Sequence, residues 1–189
     1  GIAAHKIALA KDYCLSPDDD LSEIDTDENF AQTYRAYQNR LRTTGNADFG
    51  DLIMLPVRVM EKNPQIRAQM RRRFRVIMVD EYQDSNIAQF KLLQMLAGLD
   101  EDSGTYVCVV GDDDQSIYRF RGAEVQNILN FAKAFPGTNI IKLESNYRST
   151  ARILAAADAV VKHNEGRLGK TLIAERGDGS MPQLFFLKN

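Results

Sequence analysis

Residues 109 to 123 read Val-Val-Gly-Asp-Asp-Asp-Gln-Ser-Ile-Tyr-Arg-Phe-Arg-Gly-Ala. An apolar strand leads into three carboxylates and a glutamine, groups that can sense phosphate and a hard metal ion. The run then turns to aromatics interleaved with arginines, which can stack on bases and neutralise a polynucleotide. Tyr118, Phe120 and Arg121 are the candidate nucleic-acid contacts. One loop with both chemistries is what an engine needs if nucleotide hydrolysis is to move a strand.

A second segment, residues 74 to 84, reads Phe-Arg-Val-Ile-Met-Val-Asp-Glu-Tyr-Gln-Asp. Its apolar, β-branched centre lacks helical period and predicts a strand of a parallel sheet. Asp80 and Glu81 then fall at the carboxyl end, where open α/β sheets place their ligands. Mg²⁺ needs only one or two carboxylates beside substrate phosphates, which suits Asp80 as its anchor. Glu81, one residue on, can orient or deprotonate an attacking water. A bare Asp-Glu pair more often ends a strand or caps a helix; the apolar strand with Asp-Glu-Tyr-Gln-Asp favours the chemical reading.

The third segment is Leu143-Glu144-Ser145-Asn146-Tyr147-Arg148-Ser149-Thr150. At a strand-to-helix junction, Arg148 can meet a γ-phosphate while the Tyr147 ring stacks on a base. Alone, the segment reads equally as a helix entry capped by Ser149 or Thr150.

The elements that must position these residues follow from periodicity. Helices are predicted over 2–15 and 27–44, the second with Phe30, Tyr34, Tyr37 and Leu41 on one packed face. A third helix is predicted over 49–62, with a kink or break at Pro56, and a fourth runs from Pro64 to Arg73. Strand 75–79, helix 87–99, an acidic loop over 100–104, strand 106–110, helix 124–135, strand 139–143 and helix 150–163 then alternate. Such alternation indicates a parallel sheet. A lone strand is expected over 183–188.

In this order and spacing, the three segments resemble the UvrD/Rep family of superfamily 1 DNA helicases. Val79 to Asp84 is similar to the Walker B box, motif II of that family; Gly111 to Ala123 to motif III; Leu143 to Thr150 to motif IV. Asp48-Phe49-Gly50-Asp51-Leu52 resembles the Asp-Phe-x-Asp-Leu stretch ahead of motif II. The resemblance implies an α/β fold: a partial RecA-like parallel sheet of the P-loop NTPase type with flanking helices, plus an N-terminal helical subdomain. Residues 1–47 would end an inserted helical subdomain, 48–148 would form the second half of the first RecA-like domain, and 149–189 would cross into the second.

It also implies roles. Asp80 would help hold Mg²⁺ and Glu81 would be the general base. Gln83 and Gln115 would sense the γ-phosphate of ATP, Tyr147 would stack on adenine, and Arg148 would be an arginine finger. Tyr118, Phe120 and Arg121 would face single-stranded DNA, with Phe120 where many members carry Trp. Partners would be single-stranded DNA, duplex junctions and the remainder of a helicase chain.

No Gly-x-x-x-x-Gly-Lys-[Ser/Thr] phosphate loop occurs in the 189 residues, and motifs V and VI are missing too. Gly166 to Thr171 comes nearest, but its glycine spacing is wrong, and it reads as a surface loop. With an opening at Gly1 rather than Met, the expectation is a helicase piece that is inactive alone. Two alternatives stay open: a non-hydrolysing RecA-like DNA-binding or interaction module, and the motor part of a recombination helicase–nuclease.

A hydrophobic content of 44% supports a real core, and a net charge of −2 leaves no global basic field, so any DNA surface is local. Arg71 to Arg75 reads as a solvated helix end in preference to a DNA contact. Two cysteines make no disulfide framework, and Cys108 reads as a buried small hydrophobe. Without a signal peptide or an apolar run of spanning length, the cytoplasm is the expected location and no membrane partner is expected.

Overall fold

A computed structural model describes residues 1–98, 104–116, 125–164 and 169–185. The chain is mixed α/β and divides into two compact units, Gly1–Phe131 and Ala132–Asn189.

The first unit opens with four helices: α1 (Ile2–Asp12), α2 (Asn29–Thr43), α3 (Asp51–Lys62) and α4 (Pro64–Arg73). Ile7 and Ala10 of α1 pack with Leu21, Phe30 and Tyr34 in one cluster. Cys14, Met54, Val57 and Ala88 form another, which seats α3 on the helix that follows motif II. The predicted aromatic stripe of α2 is therefore core at Phe30 and Tyr34, whose rings stack at 6.2 Å. Further along, Tyr37 gives its hydroxyl to Asp48 at 2.9 Å.

Fully buried Lys11 ties α1 to the start of α3, its Nζ 2.6 Å from Asp48 Oδ2 and 2.9 Å from Asp51 Oδ1. Two charges out of water cost several kcal/mol unless every partner is placed, and these are. Asp51 N donates to Asp48 Oδ1 and Gln38 Nε2 to Asp51 Oδ1. Burial pushes the Asp48 carboxyl up, but the donors Lys11, Asp51 and Tyr37 outweigh it, so its net shift is downward. A Cβ on Gly50 would sit 2.8 Å from the Lys11 stem, so the glycine of Asp-Phe-Gly-Asp makes room for the lysine.

Helix α3 runs unbroken through Pro56, against the expected kink. Leu52 and Pro56 both face solvent, so the carbonyl deprived of its donor is open to water. Arg71 also departs from expectation: it is buried, its Nε donating to Met95 O at 2.9 Å, whereas Arg72 and Arg73 are solvated.

Strands β1 (Val76–Val79) and β2 (Tyr106–Val109) pair in parallel, Val76 opposite Tyr106 through Val79 opposite Val109. Parallel neighbours need a crossover, and α5 (Ile87–Ala97) lies in it. Asn86 caps α5 in a capping box with Gln89, and Gly98 ends it in the left-handed conformation. Cys108 is half-buried rather than buried, since its β1 neighbour Met78 is exposed. The predicted helix 124–135 is two short ones, α6 (Val125–Leu129) and α7 (Phe131–Ala134), separated at Asn130. Asn130 turns its side-chain amide back to Gln126 Oε1 at 3.0 Å, the local bonding by which asparagine competes with a helix.

In the second unit the predicted strand 139–143 is not a strand. Ile140, Ile141 and Leu143 are exposed with no ladder partner among the described residues, so nothing holds them extended. Pairing comes two residues later, where β3 (Ser145–Asn146) lies parallel to β4 (Ile173–Ala174). Helix α8 (Ala151–Val161) follows. Its first amides are taken by carbonyls, Ala151 N by Gly177 O and Arg152 N by Asp178 O. Of the strand expected over 183–188, residues 183–185 carry no regular structure and the rest lie outside the described residues. No described helix is long and apolar enough to cross a membrane.

Candidate nucleotide-hydrolysis site

Strand β1 delivers Asp80 and Glu81 to the rim of the sheet, both exposed. Glu81 adopts φ 49° and ψ 41°, left-handed backbone that costs a non-glycine residue about 1–2 kcal/mol. The conformation persists because its surroundings fix it. Asp80 Oδ1 accepts Glu81 N at 2.9 Å, and Val110 O accepts Tyr82 N at 2.9 Å. Tyr82, buried to 1% exposure, meets Phe131 edge-on at 5.5 Å. Burial pushes the Tyr82 phenol up.

The reversal aims the Glu81 carboxylate at the next turn. Gln83 Nε2 donates to Glu81 Oε2 at 2.7 Å, and Gln83 Oε1 accepts from Asp112 N at 3.0 Å. Gln83 is itself buried to 1%, so its amide is a fixed bridge rather than a surface group. Asp112 then passes the chain on: its Oδ1 accepts Asp114 N and its Oδ2 accepts Gln115 Nε2 at 2.7 Å. Ser116 Oγ closes the loop by donating to Gln83 O at 3.3 Å. A relay of hydrogen bonds thus joins Glu81, Gln83 and Gln115, three residues picked from sequence, through Asp112, which was not singled out.

Gly111 is where the two turns press together. A Cβ there would meet Gln83 Oε1 at 2.7 Å and Ile128 Cδ1 at 2.9 Å. Only glycine lets the backbone of the second turn come close enough for Asp112 N to reach the buried amide.

The oxygens of Asp112, Asp113 and Asp114 lie within 4.8 Å of one another, the one such group among the described residues. Both carboxylate oxygens of Asp112 are already occupied by the turn, so that carboxylate shapes the loop. Asp80 stands apart from them. Its Oδ1 is used locally while the residue stays exposed, leaving a hard oxygen donor at the strand end.

Tyr147 and Arg148 belong to the second unit. Asn146 Oδ1 accepts both Arg148 N at 3.0 Å and Ser149 N at 2.8 Å, and Arg176 Nη1 donates to Arg148 O at 3.0 Å. The backbone of the turn is held while both side chains are exposed. Lys170 and Thr171, the nearest approach to a phosphate loop, carry no regular structure, and Lys142 Nζ donates to Gly169 O there at 2.6 Å. Tyr118, Phe120 and Arg121 lie outside the described residues.

An Asp-Glu at one carboxyl end of a parallel strand pair is thus linked by hydrogen bonds through a buried glutamine to the loop after the next strand. The UvrD/REP helicase N-terminal domain model matches residues 3–136, and the chain belongs to that family. It is 43% identical over 188 residues to the ATP-dependent DNA helicase UvrD1 of Mycobacterium tuberculosis, covering 95% of this chain and 24% of that protein. Against the ATP-dependent DNA helicase PcrA of Leuconostoc citreum it is 43% identical over 175 residues, 92% of this chain and 23% of the relative. The ATP-dependent DNA helicase PcrA of Bacillus subtilis is 44% identical over 153 residues, 81% of this chain and 20% of the relative. The chain therefore spans about a quarter of the length of the curated relatives it matches.

Proposed function

We propose that this chain is the part of an ATP-dependent DNA helicase that carries the hydrolytic base and the loop linking it to DNA. The observation that carries the reading is the relay from Glu81 through the buried Gln83 amide to Asp112 and Gln115. It joins a carboxylate fit to be a base to the start of the segment that continues into Tyr118, Phe120 and Arg121. The relatives' printed names, ATP-dependent DNA helicases, support the same reading.

In this scheme the chain supplies a partial RecA-like sheet. Residues 1–47 end an inserted helical subdomain, 48–148 form the second half of the first motor domain, and 149–189 cross toward the second. Glu81 takes the proton from the water that attacks the γ-phosphate of ATP. Gln83 keeps the Glu81 carboxylate in place, and Gln115 reports nucleotide state along the loop. Asp80 is the residue fit to hold Mg²⁺, whose chemistry when bound is to neutralise phosphate charge. Arg148 stabilises charge on the transferred phosphoryl group while Tyr147 stacks on the adenine. Tyr118, Phe120 and Arg121 engage single-stranded DNA at duplex junctions. Replacing Phe120 by Ala is expected to weaken single-strand affinity by about 1–3 kcal/mol, the contribution of one base–aromatic stack, in a binding titration. The cytoplasm is the matching location.

One competing reading is a module of the same fold that binds DNA without hydrolysis. Phosphate release from ATP by the full-length protein, with and without single-stranded DNA, separates the two. The helicase reading expects turnover that DNA accelerates, and negligible turnover by residues 1–189 alone, which lack the phosphate cradle. DNA binding with no hydrolysis by the full-length protein would establish the competing module.

A further inference from the structure

We infer that helix α6 braces the Glu81 turn and that Asn127 is a positioning residue for hydrolysis; the inference rests on the helicase reading above. Asn127 Nδ2 donates to Ser85 O at 3.0 Å and reaches Asn86 O at 3.5 Å. Ser85 is buried to 7%, so its carbonyl has little access to water and depends on that donor. One residue along the same helix, Ile128 packs where a Gly111 Cβ would be, beside Gln83 Oε1. Helix α6 therefore meets both turns of the site at once, through an amide on one and a methyl on the other.

The opposite side of the Ser85–Asn86 link is held independently. Asn86 accepts Gln89 N at 2.9 Å at the head of α5 and donates Nδ2 to Asp12 Oδ1 at 2.8 Å. Between this link and the base the chain is one tight 3-10 turn, with Asp84 N donating to Glu81 O at 3.0 Å and Ser85 N to Tyr82 O at 3.1 Å. A turn this short transmits a shift at Ser85 directly to Glu81. Without Asn127 the link is gripped from the α1 and α5 side alone, and the Glu81 carboxylate loses one of the supports that align it. Misplacing a reacting group by about 1 Å can cost on the order of 100-fold in rate.

The Asn127 amide is spent on backbone carbonyls, so its loss as a positioning residue has to appear in kcat rather than in binding. The test is Asn127→Ala and Asn127→Asp in the full-length protein; the second keeps the shape while removing the donor. The expected result is a fall in kcat for ATP hydrolysis of about 10- to 100-fold in both. KM for ATP and single-strand affinity should stay close to wild type, the pattern of an interaction felt only in the transition state, while melting temperature falls by no more than the few degrees that one lost buried hydrogen bond costs. Wild-type kcat in both variants overturns the brace and leaves the helicase reading standing. A joint loss of kcat, nucleotide binding, DNA affinity and melting temperature also overturns it, since it marks a general packing role. A wild-type protein that does not hydrolyse ATP at all overturns the helicase reading and, with it, the brace.

Discussion

The turn after β1 and the turn after β3 each present a charged side chain at a strand end, and they are built in opposite ways. In the first, the side chain itself is engaged: the Glu81 carboxylate is held by Gln83, which is held by Asp112 N, on a backbone forced into the left-handed region. In the second, Asn146 and Arg176 fix the backbone around Arg148. The Arg148 guanidinium is exposed and makes no hydrogen bond or ion pair among the described residues. Proton abstraction needs the base aligned before the water moves, so pre-set geometry serves it. A cation that meets charge only as charge develops needs a fixed root and a side chain left to reach. The contrast assigns the two turns different duties in the proposed reaction, an aligned base and a mobile cation.

Arg148→Ala breaks the comparison hardest. Turnover by the full-length protein is expected to fall on the order of 10³-fold or more, as for other arginine fingers. The melting temperature should not change, because nothing among the described residues leans on the guanidinium. A large loss of stability would show Arg148 to be a structural residue.

Gly111→Ala probes the opposite design. The new Cβ would press on Gln83 Oε1 at 2.7 Å and Ile128 Cδ1 at 2.9 Å, and the bridge to Asp112 N has to give. Turnover is expected to drop about 10- to 100-fold. Overpacking should cost about 1–3 kcal/mol of stability in denaturant titration. Unaltered turnover would mean that the relay does not matter to the base.

Asp12→Asn sharpens the picture most gently. Burial pushes the Asp12 carboxyl up to about 6, against the lowering pull of the Asn86 amide and the His5 charge. The folded value lies above the ordinary 3.8, so the stability this group contributes is full below about pH 4 and is lost as pH climbs through about 6. Asparagine keeps an acceptor for Asn86 and abolishes the buried charge. Melting temperature should match wild type near pH 4 and exceed it by about 2–4 °C near pH 8, a modest gain because the site is only half-buried. Equal melting curves at both pH values would remove Asp12 from the account.

Much of this was legible in the sequence because the signals were local. The apolar run before Asp80 and the one before Gly111 predicted β1 and β2 to within a residue or so. Periodicity predicted the helices around them, with Pro64 marking the start of α4. Glu81, Gln83 and Gln115 were picked for their motif positions, and the structure brings them onto one chain of hydrogen bonds. What stayed hidden was set by tertiary contact. Asp112 is one of three adjacent aspartates, and nothing local says which of them would pair with Gln115. Left-handed backbone at Glu81 carries no sequence mark, since it is imposed by Val110 O and Gln83 rather than by a glycine. The stretch 139–143 has strand composition, but a strand is a matter of partners, and among the described residues it has none. Nothing local marks Lys11 for burial, since Asp48, Asp51 and Gly50, which enclose it, are distant in sequence.

The central claim, that Glu81 is a base held ready by the buried Gln83 amide, is tested most directly by Glu81→Gln in the full-length protein. The substitution keeps size and hydrogen-bonding shape and removes the proton acceptor. Nucleotide binding, followed by titration, and phosphate release in the presence of single-stranded DNA are measured side by side. The account predicts ATP affinity close to wild type with hydrolysis and unwinding abolished. Undiminished hydrolysis in that variant would contradict it and place the base elsewhere.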